Sequence, residues 1–331
     1  MKGLLKMSNA SAASLRDVLA MLGWLPGDRH VISVTPAGAG NMNLVERVTL
    51  DNQATVILKR ARAWVEKYPH IPAPIERAEV EAAFYAAVAD SAAGRAMPRH
   101  LAFSKEYAAN LIADLGGGTD GMIAYAGQKI TDDALDAIAD WLRALHDIEG
   151  PFDDILTNTA MRTLNAFHIF NYPLNLHNGL DLDAITPGLQ HLAEGLKRDD
   201  GFVAAVKAIG QRYLGSEAGV LLHGDLYPGS WLTTKEGVFV IDPEFCWIGP
   251  REWDVGVLAA HLRLSGQPEN STERLIKRYG IALDRQLLNQ IIGIEIMRRL
   301  IGVAQLPLQI GLEDKAMMLA DARDLVLGTT K

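Results

Sequence analysis

Leu221 to Gly256 reads LLHGDLYPGSWLTTKEGVFVIDPEFCWIGPREWDVG. Acidic groups at Asp225, Glu236, Asp242, Glu244 and Asp254 lie on turns between its apolar runs. Leu221 and Leu222 lead into His223-Gly224-Asp225, and Val238 to Ile241 reads as a short strand that delivers Asp242 at its end. Pro243 closes that strand, and Glu244 follows. A carboxylate at the end of a buried strand is costly to desolvate unless a cation or a donor meets it. Asp242 and Glu244 are spaced to share one hard cation, and an all-oxygen set suits Mg²⁺. Asp225 sits on a loop that can face the same point. One acid as base and two as metal ligands are the minimum set for phosphoryl transfer. Caps of helices and turns use the same residue types, so the order of the two motifs, with a β run between them, carries the reading.

Those residues resemble the aminoglycoside phosphotransferase and choline kinase superfamily, which has the protein-kinase-like fold. Within it the chain is most similar to the 5-methylthioribose kinases, which carry HGDLxxGS and VIDPEFxxxGPxxxDxG segments. Here these read HGDLYPGS, from His223 to Ser230, and VIDPEFCWIGPREWDVG, from Val240 to Gly256. Most of the superfamily has Asn five residues after the catalytic Asp as a second metal ligand; this chain has Ser230 there, as methylthioribose kinases do. The resemblance implies that Asp225 is the catalytic acid, that Asp242 and Glu244 hold Mg²⁺, and that Ser230 supports metal or nucleotide.

The chain has 331 residues, enough for a large core and two lobes. A net charge of −8 gives a nucleic-acid partner no electrostatic support. The single cysteine, Cys246, excludes a disulfide within the chain and disfavours secretion. No apolar run approaches the ~20 residues of a membrane span, and residues 1–20 make a poor signal peptide. A soluble cytoplasmic protein is expected, and a homodimer stays open.

Upstream, Ser14 is placed to cap a first helix whose apolar face is Leu15, Val18, Leu19 and Leu22. Val31 to Thr35 alternates as a strand. Ala37 to Asn43, with Gly38, Gly40 and Asn41, precedes the apolar-rich Leu44 to Leu50. Such a turn can lay backbone N–H groups over phosphates, and it equally serves a plain hairpin. Its position is similar to the nucleotide-covering loop of the superfamily. Ala54 to Lys59 is a strand ending in a lysine that can reach phosphates if an acid holds it. That acid comes from a helix over Ile75 to Ala89, where Glu76, Glu79 and Glu81 compete; the resemblance favours Glu81. Trp64 to Pro74 reads as an aromatic, proline-stiffened loop, similar to a lid segment of the methylthioribose kinases.

Asn110 to Leu115 reads as the last strand of the small lobe, running into a hinge at Gly116 to Gly118. An adenine would bond backbone groups near Ile112 and Ala113. Thr131 caps a helix with a buried face of Leu135, Ile138, Leu142 and Leu145. His146 on that helix reads as a packed histidine rather than a ligand. Asn165 to Leu189 is polar and turn-rich; His168, Tyr172, His177 and Asp183 there are open to substrate, lid or dimer roles. Helices follow over Pro187 to Lys197, Phe202 to Tyr213 and Val255 to Leu264, with Asp254 capping the last or bracing the catalytic loop. Leu287 to Leu306 reads as a long apolar helix carrying Arg298-Arg299, where a buried guanidinium needs an anion. The segment RRLIG is similar to the RRIIG of methylthioribose kinases, where the arginines serve the substrate.

The expectation is therefore an α+β, protein-kinase-like fold with a small nucleotide-binding lobe over residues 1–113 and a large helical lobe over 114–331. Its activity would be ATP- and Mg²⁺-dependent phosphorylation of a small hydroxylated acceptor, 5-methylthioribose at the anomeric hydroxyl. Another sugar, an amino alcohol or an aminoglycoside is the alternative acceptor, and a nucleotide-binding pseudokinase the alternative class.

Overall fold

The computed structural model describes residues 12–25, 29–38, 42–215 and 218–329. The small lobe is built on a five-stranded antiparallel sheet. Its strands are β1 (Val31–Pro36), β2 (Asn43–Leu50), β3 (Thr55–Ala61), β6 (His100–Ser104) and β7 (Ala109–Ala113), in the order β1-β2-β3-β7-β6. Between β3 and β6 come a small hairpin, β4 (Trp64–Val65) with β5 (Tyr68–Pro72), and the helix Arg77–Val88. The hairpin replaces the expected loop over Trp64 to Pro74.

Side chains alternate across a strand, so register decides which residues share a face. Val45 pairs with Lys59, Arg47 with Ile57, and Ile57 with Ile112, which puts all five on one face. Val48, Leu58 and Leu111 fall on the other face and pack with Leu19 of the helix Ala12–Met21. That helix begins before Ser14, so Ser14 lies inside it rather than at its cap. The first face, with its lysine, is left to line a cleft.

The large lobe is mostly helical. β7 ends at Ala113, and the next strand, β8 (Thr119–Asp120), pairs with β10 (Trp231–Thr234) and so belongs to this lobe. β10 forms a hairpin with β11 (Gly237–Val240). Glu236 sits on its exposed turn, away from the site the sequence grouped it with. β9 (Val220–Leu222) pairs with β12 (Trp247–Gly249) and holds the two ends of the decisive stretch together. Thr131 caps the helix Asp132–His146 through its hydroxyl, and Leu135, Ile138, Leu142 and Leu145 are buried as their spacing predicts.

The helix Arg285–Ile301 is enclosed by neighbours on all sides, so its burial runs through Glu295, Arg298 and Arg299 as well as its isoleucines. Asp284 caps its start. It ends five residues earlier than the hydrophobic run suggested. Gly302 leaves the helical conformation there, which turns the following segment, Val303 to Pro307, back along the cleft. No described helix is long and apolar enough to cross a membrane.

Candidate active site

A cleft of about 880 Å³ runs between the lobes. Val45, Ile57 and Ile112 of the small lobe face Leu232 and Ile241 of the large lobe across one end. A flat apolar ring system fits between such walls. Ala113 lies at this end beside Asp114, whose carboxylate is bonded to Arg47 of β2 and to the N–H of Gly116. Gly38 also lines the cleft, whereas Gly40 and Asn41 lie outside the described residues.

Lys59 reaches into the cleft from β3. Its Nζ lies 2.7 Å from Glu81 Oε1 and 2.8 Å from Asp242 Oδ1. Burial works against the ammonium, but Asp242, Glu81 and Glu244 overcome it and raise its pKa well above the usual value. Burial raises the carboxyl of Glu81 in spite of Lys59. Glu79, the competing acid, points outward to Lys105, whose side chain is exposed. One helical position decides this: Glu81 lies on the buried face with Val80, Phe84 and Tyr85, while Glu79 does not.

Asp225 is set by two independent braces. The first holds the loop's backbone. Asp254, fully buried at the start of the helix Glu252–Leu264, accepts from the N–H of His223 at 2.7 Å and of Gly224 at 2.8 Å. His146 Nε2 lies 3.2 Å from the same carboxylate and its Nδ1 is 2.8 Å from the Tyr279 hydroxyl. Gly224 has φ +86°, and a Cβ there would lie 2.0 Å from the carbonyl oxygen of Phe245, so no other residue fits. His223 Nε2 approaches the Ile241 carbonyl at 2.9 Å, which ties the Asp225 loop to the strand end that carries Asp242.

The second brace holds the side chain. Arg298 Nη2 and Arg299 Nη2 both donate to Asp225 Oδ1, at 2.9 and 3.1 Å. Neighbouring helical residues point ~100° apart, so converging on one oxygen needs a further anchor. Glu295, one turn back, supplies it, accepting from the Nε of both arginines. Two guanidiniums thus face two carboxylates, and the buried group is neutral as a whole. His261 Nε2 sits 2.9 Å from Glu295 Oε1, and its Nδ1 meets the Tyr125 hydroxyl at 2.5 Å. Burial, aided by the charge of Arg299, pushes His261 down to about 4, so the ring is neutral near pH 7. The Tyr227 ring lies 5.1 Å beneath the Arg299 guanidinium. The two arginines expected at the acceptor do line the cleft, and they do so while bonded to two carboxylates. Their partners are the carboxylates of Glu295 and Asp225, so two buried positive charges meet two negative ones.

Glu244 departs from the expected pairing with Asp242. Its Oε2 accepts from Asn43 Nδ2 at 2.9 Å and lies 3.2 Å from Arg77 Nε, all buried. Arg77 also donates to the carbonyls of Met42, Arg62 and Pro74, so this cluster fastens the end of the glycine turn to the helix Arg77–Val88. Asp242 faces the cleft with its side chain 46% exposed. The backbone separates the two acids: Asp242 takes a left-handed turn at φ +62°. Among the described residues no group of three His, Cys, Asp or Glu is arranged to hold a metal. One carboxylate plus substrate phosphates is an ordinary Mg²⁺ environment, which Asp242 fits; Glu244 lines the same cleft with its Oε2 held by Asn43 and Arg77. The Ser230 hydroxyl donates to the backbone carbonyl of Asp225 at 2.7 Å, and the residue lines the cleft.

Sequence reasoning passed over Arg77, Asn43, Asn158, Glu295 and His261. Asn158 donates to the carbonyls of Glu244 and Cys246 and so holds the turn after Asp242. A signal existed for Glu295: an acid one turn before two arginines in an apolar helix is the cheapest partner for them. The contacts of Arg77 and Asn158 are remote in sequence and leave no local pattern.

A lysine on an antiparallel sheet paired with a glutamate on the helix packed against it, above an aspartate loop in a helical lobe, defines a two-lobed protein-kinase-like fold. The chain belongs to the phosphotransferase enzyme family, whose sequence profile matches residues 33–288. Methylthioribose kinase of Erwinia tasmaniensis is 27% identical over 283 residues, which cover 77% of this chain and 66% of that enzyme. Methylthioribose kinase of Geobacillus kaustophilus is 40% identical over 81 residues, 24% of this chain and 20% of that enzyme. The matched portion thus spans just under two thirds of the first relative and much less of the second. Among solved structures, spectinomycin phosphotransferase with ADP and spectinomycin superimposes with a TM-score of 0.57 at 12% identity, covering 97% of this chain and 99% of that one.

Proposed function

We propose that this protein is an ATP-dependent kinase of a small hydroxylated acceptor, and that the acceptor is 5-methylthioribose, phosphorylated at its anomeric hydroxyl. The observation that carries the reading is the meeting of Lys59, from the small lobe, with Asp242, from the large lobe, in the cleft that also holds Asp225. The choice of acceptor is supported by the two relatives described above, both named methylthioribose kinase, and the choice of nucleotide by the ADP bound to the solved neighbour.

The adenine lies between Ile57 and Leu232, against the backbone near Ile112 and Ala113. Lys59, held by Glu81, positions the phosphates. Asp242, with the Ser230 hydroxyl beside it, would hold Mg²⁺, which supplies charge neutralisation on the transferring phosphoryl group. Asp225 has Oδ1 filled by two guanidiniums, which leaves Oδ2 to accept the acceptor hydroxyl's hydrogen and aim its oxygen at the γ-phosphorus. The P–O bond to ADP breaks as the new one forms, and the hydroxyl proton passes to Asp225. Positioning and electrostatics carry most of this chemistry.

The test is ATP consumption over a panel of 5-methylthioribose, ribose, choline and spectinomycin, with the product located by phosphorus NMR. Turnover of methylthioribose, lost by ~10²-fold or more in Asp225→Asn while Mg·ATP still binds, is the expected result. Equal turnover in Asp225→Asn removes that residue from the mechanism. ATP binding with no turnover of any acceptor overturns the kinase reading.

A further inference from the structure

The wall of the cleft opposite the nucleotide end is a short π-helical turn, Phe167–Asn171, that continues the helix Thr159–Ala166. Such turns shift the register of a helix by one residue and recur where a side chain must be re-aimed. Here the shift buries Ile169 and Phe170 in the large-lobe core, where Phe170 packs on Tyr213 and Trp253. His168 is turned the other way and lines the cleft. The turn is backed by the catalytic brace itself: Pro173, just beyond it, packs at Gly302, where the arginine helix ends.

The state of that imidazole is unusual. Its Nδ1 is buried and has no hydrogen-bond partner among the described residues. Its contacts are ring edges, to Phe167 at 5.2 Å and Tyr172 at 5.7 Å. Burial lowers its pKa, and the positive charge of Arg298 lowers it further, so it is neutral at pH 7. A neutral imidazole offers one donor and one acceptor. The charged groups beside it are already committed. Arg298 and Arg299 hold Asp225 and Glu295, and Asn165 donates toward the Tyr213 hydroxyl. Leaving a half-buried polar group without a partner is costly, and such groups in native sites call for a ligand or a functional reason.

We propose that His168 is the acceptor-reading residue of this cleft: a neutral imidazole that hydrogen-bonds one non-reacting hydroxyl of the acceptor while Asp225 addresses the reacting one. This rests on the kinase reading above and adds the residue that sets which hydroxyl pattern is accepted. The same geometry opposes a cationic group at this point, since Arg298 is its neighbour and no unpaired carboxylate of this wall answers a second positive charge.

The experiment is a cycle between residue and substrate. Wild type, His168→Leu and His168→Gln are assayed with 5-methylthioribose and with its analogues lacking the 2- or the 3-hydroxyl, ATP and acceptor being varied separately. His168→Leu is expected to lower kcat/KM for the acceptor about tenfold and leave KM for ATP within twofold. His168→Gln, which keeps a donor and an acceptor, restores most of the loss. One deoxy analogue should be penalised about tenfold by wild type and not at all by His168→Leu; that loss of penalty at a single hydroxyl is a result mere destabilisation does not give. An active wild type with an unchanged His168→Leu, or a variant that suffers equally on every analogue, overturns the inference and leaves the kinase reading standing. A wild type inactive on every acceptor overturns the kinase reading and this inference with it.

Discussion

Glu295→Gln tests the brace on which the mechanism depends. The carboxylate is 2% exposed and accepts from Arg298 Nε, from Arg299 Nε at 2.7 Å and from His261 Nε2 at 2.9 Å. The amide keeps one acceptor oxygen and turns an NH₂ toward a guanidinium that can only donate. The buried group then carries two positive charges against one negative. Removing one partner of a buried ion pair costs about 3–5 kcal/mol, and the retained amide oxygen places this case at about 3. At roughly 2 °C per kcal/mol for a chain of this size, the melting temperature should fall by about 6 °C. The effect on turnover follows from geometry. Both guanidiniums, released from Glu295, are free to straddle the two oxygens of Asp225, and Oδ2 is no longer left to the acceptor. A misplacement of about 1 Å at the reacting group costs ~10²-fold, so kcat should fall by that order with KM for ATP within twofold. Steady-state assays with ATP and acceptor varied separately, beside a thermal melt, measure both. A variant with kcat within threefold and an unshifted melt would show that the arginines find Asp225 without Glu295, and the two-brace argument would fail.

Lys59→Ala should raise KM for ATP and lower kcat, and Glu81→Ala should do the same more mildly; Glu79→Ala should match wild type, its partner Lys105 being exposed. Asp242→Ala should abolish the Mg²⁺ dependence of ATP binding. Glu244→Ala should preserve it and instead lower the melting temperature, since it strands the buried Arg77 guanidinium; a titration of ATP affinity against Mg²⁺ beside a melt separates the two. His261 should make the fold acid-sensitive: burial holds its pKa at about 4 against an ordinary 6.5, so the unfolded chain takes up a proton that the folded one refuses. Stability should therefore fall as pH drops from about 6.5 to 4, by roughly 3 kcal/mol in total, and His261→Gln should flatten that part of the melting-temperature profile.

The parts of this site legible in the sequence are those whose geometry is local. Gly224 beside Asp225, and Asp242 at a strand end before Pro243, are fixed by neighbours within a few residues. Lys59 was legible because a strand ending in lysine and a helix rich in glutamate follow one another; Glu81 was preferred over Glu79 only through the resemblance, and it is the structure that places it on the buried face beside the lysine. The small-lobe strands were readable by alternation, but β6 was missed. His100 to Ser104 is a short run polar at both ends, and it is a strand only because β7 supplies its ladder. The Trp64–Pro72 hairpin was hidden by its prolines, which a hairpin tolerates where their missing N–H faces no partner.

Glu244 shows why the remainder was not legible. Two acids one proline apart look like a pair for one cation, and in the extended conformation they point to the same side. The left-handed turn at Asp242 breaks that relation and sends Glu244 under the small lobe. There Arg77 and Asn43, distant in sequence, complete it. A charged group's role is decided by whichever opposite charge can reach it with least loss of hydration. For Glu244 that group is a buried guanidinium, and for Arg298 and Arg299 it is Asp225. The consequence is a division of labour. Asp242 and Asp225 face the cleft, while Glu81, Glu244, Asp254 and Glu295 are buried with partners, and each fixes one part of the site: the lysine, the strand start at Asn43, the Asp225 loop and the arginine pair. Exposure, rather than residue type, separates the acids free to meet a ligand from those that hold the site in shape.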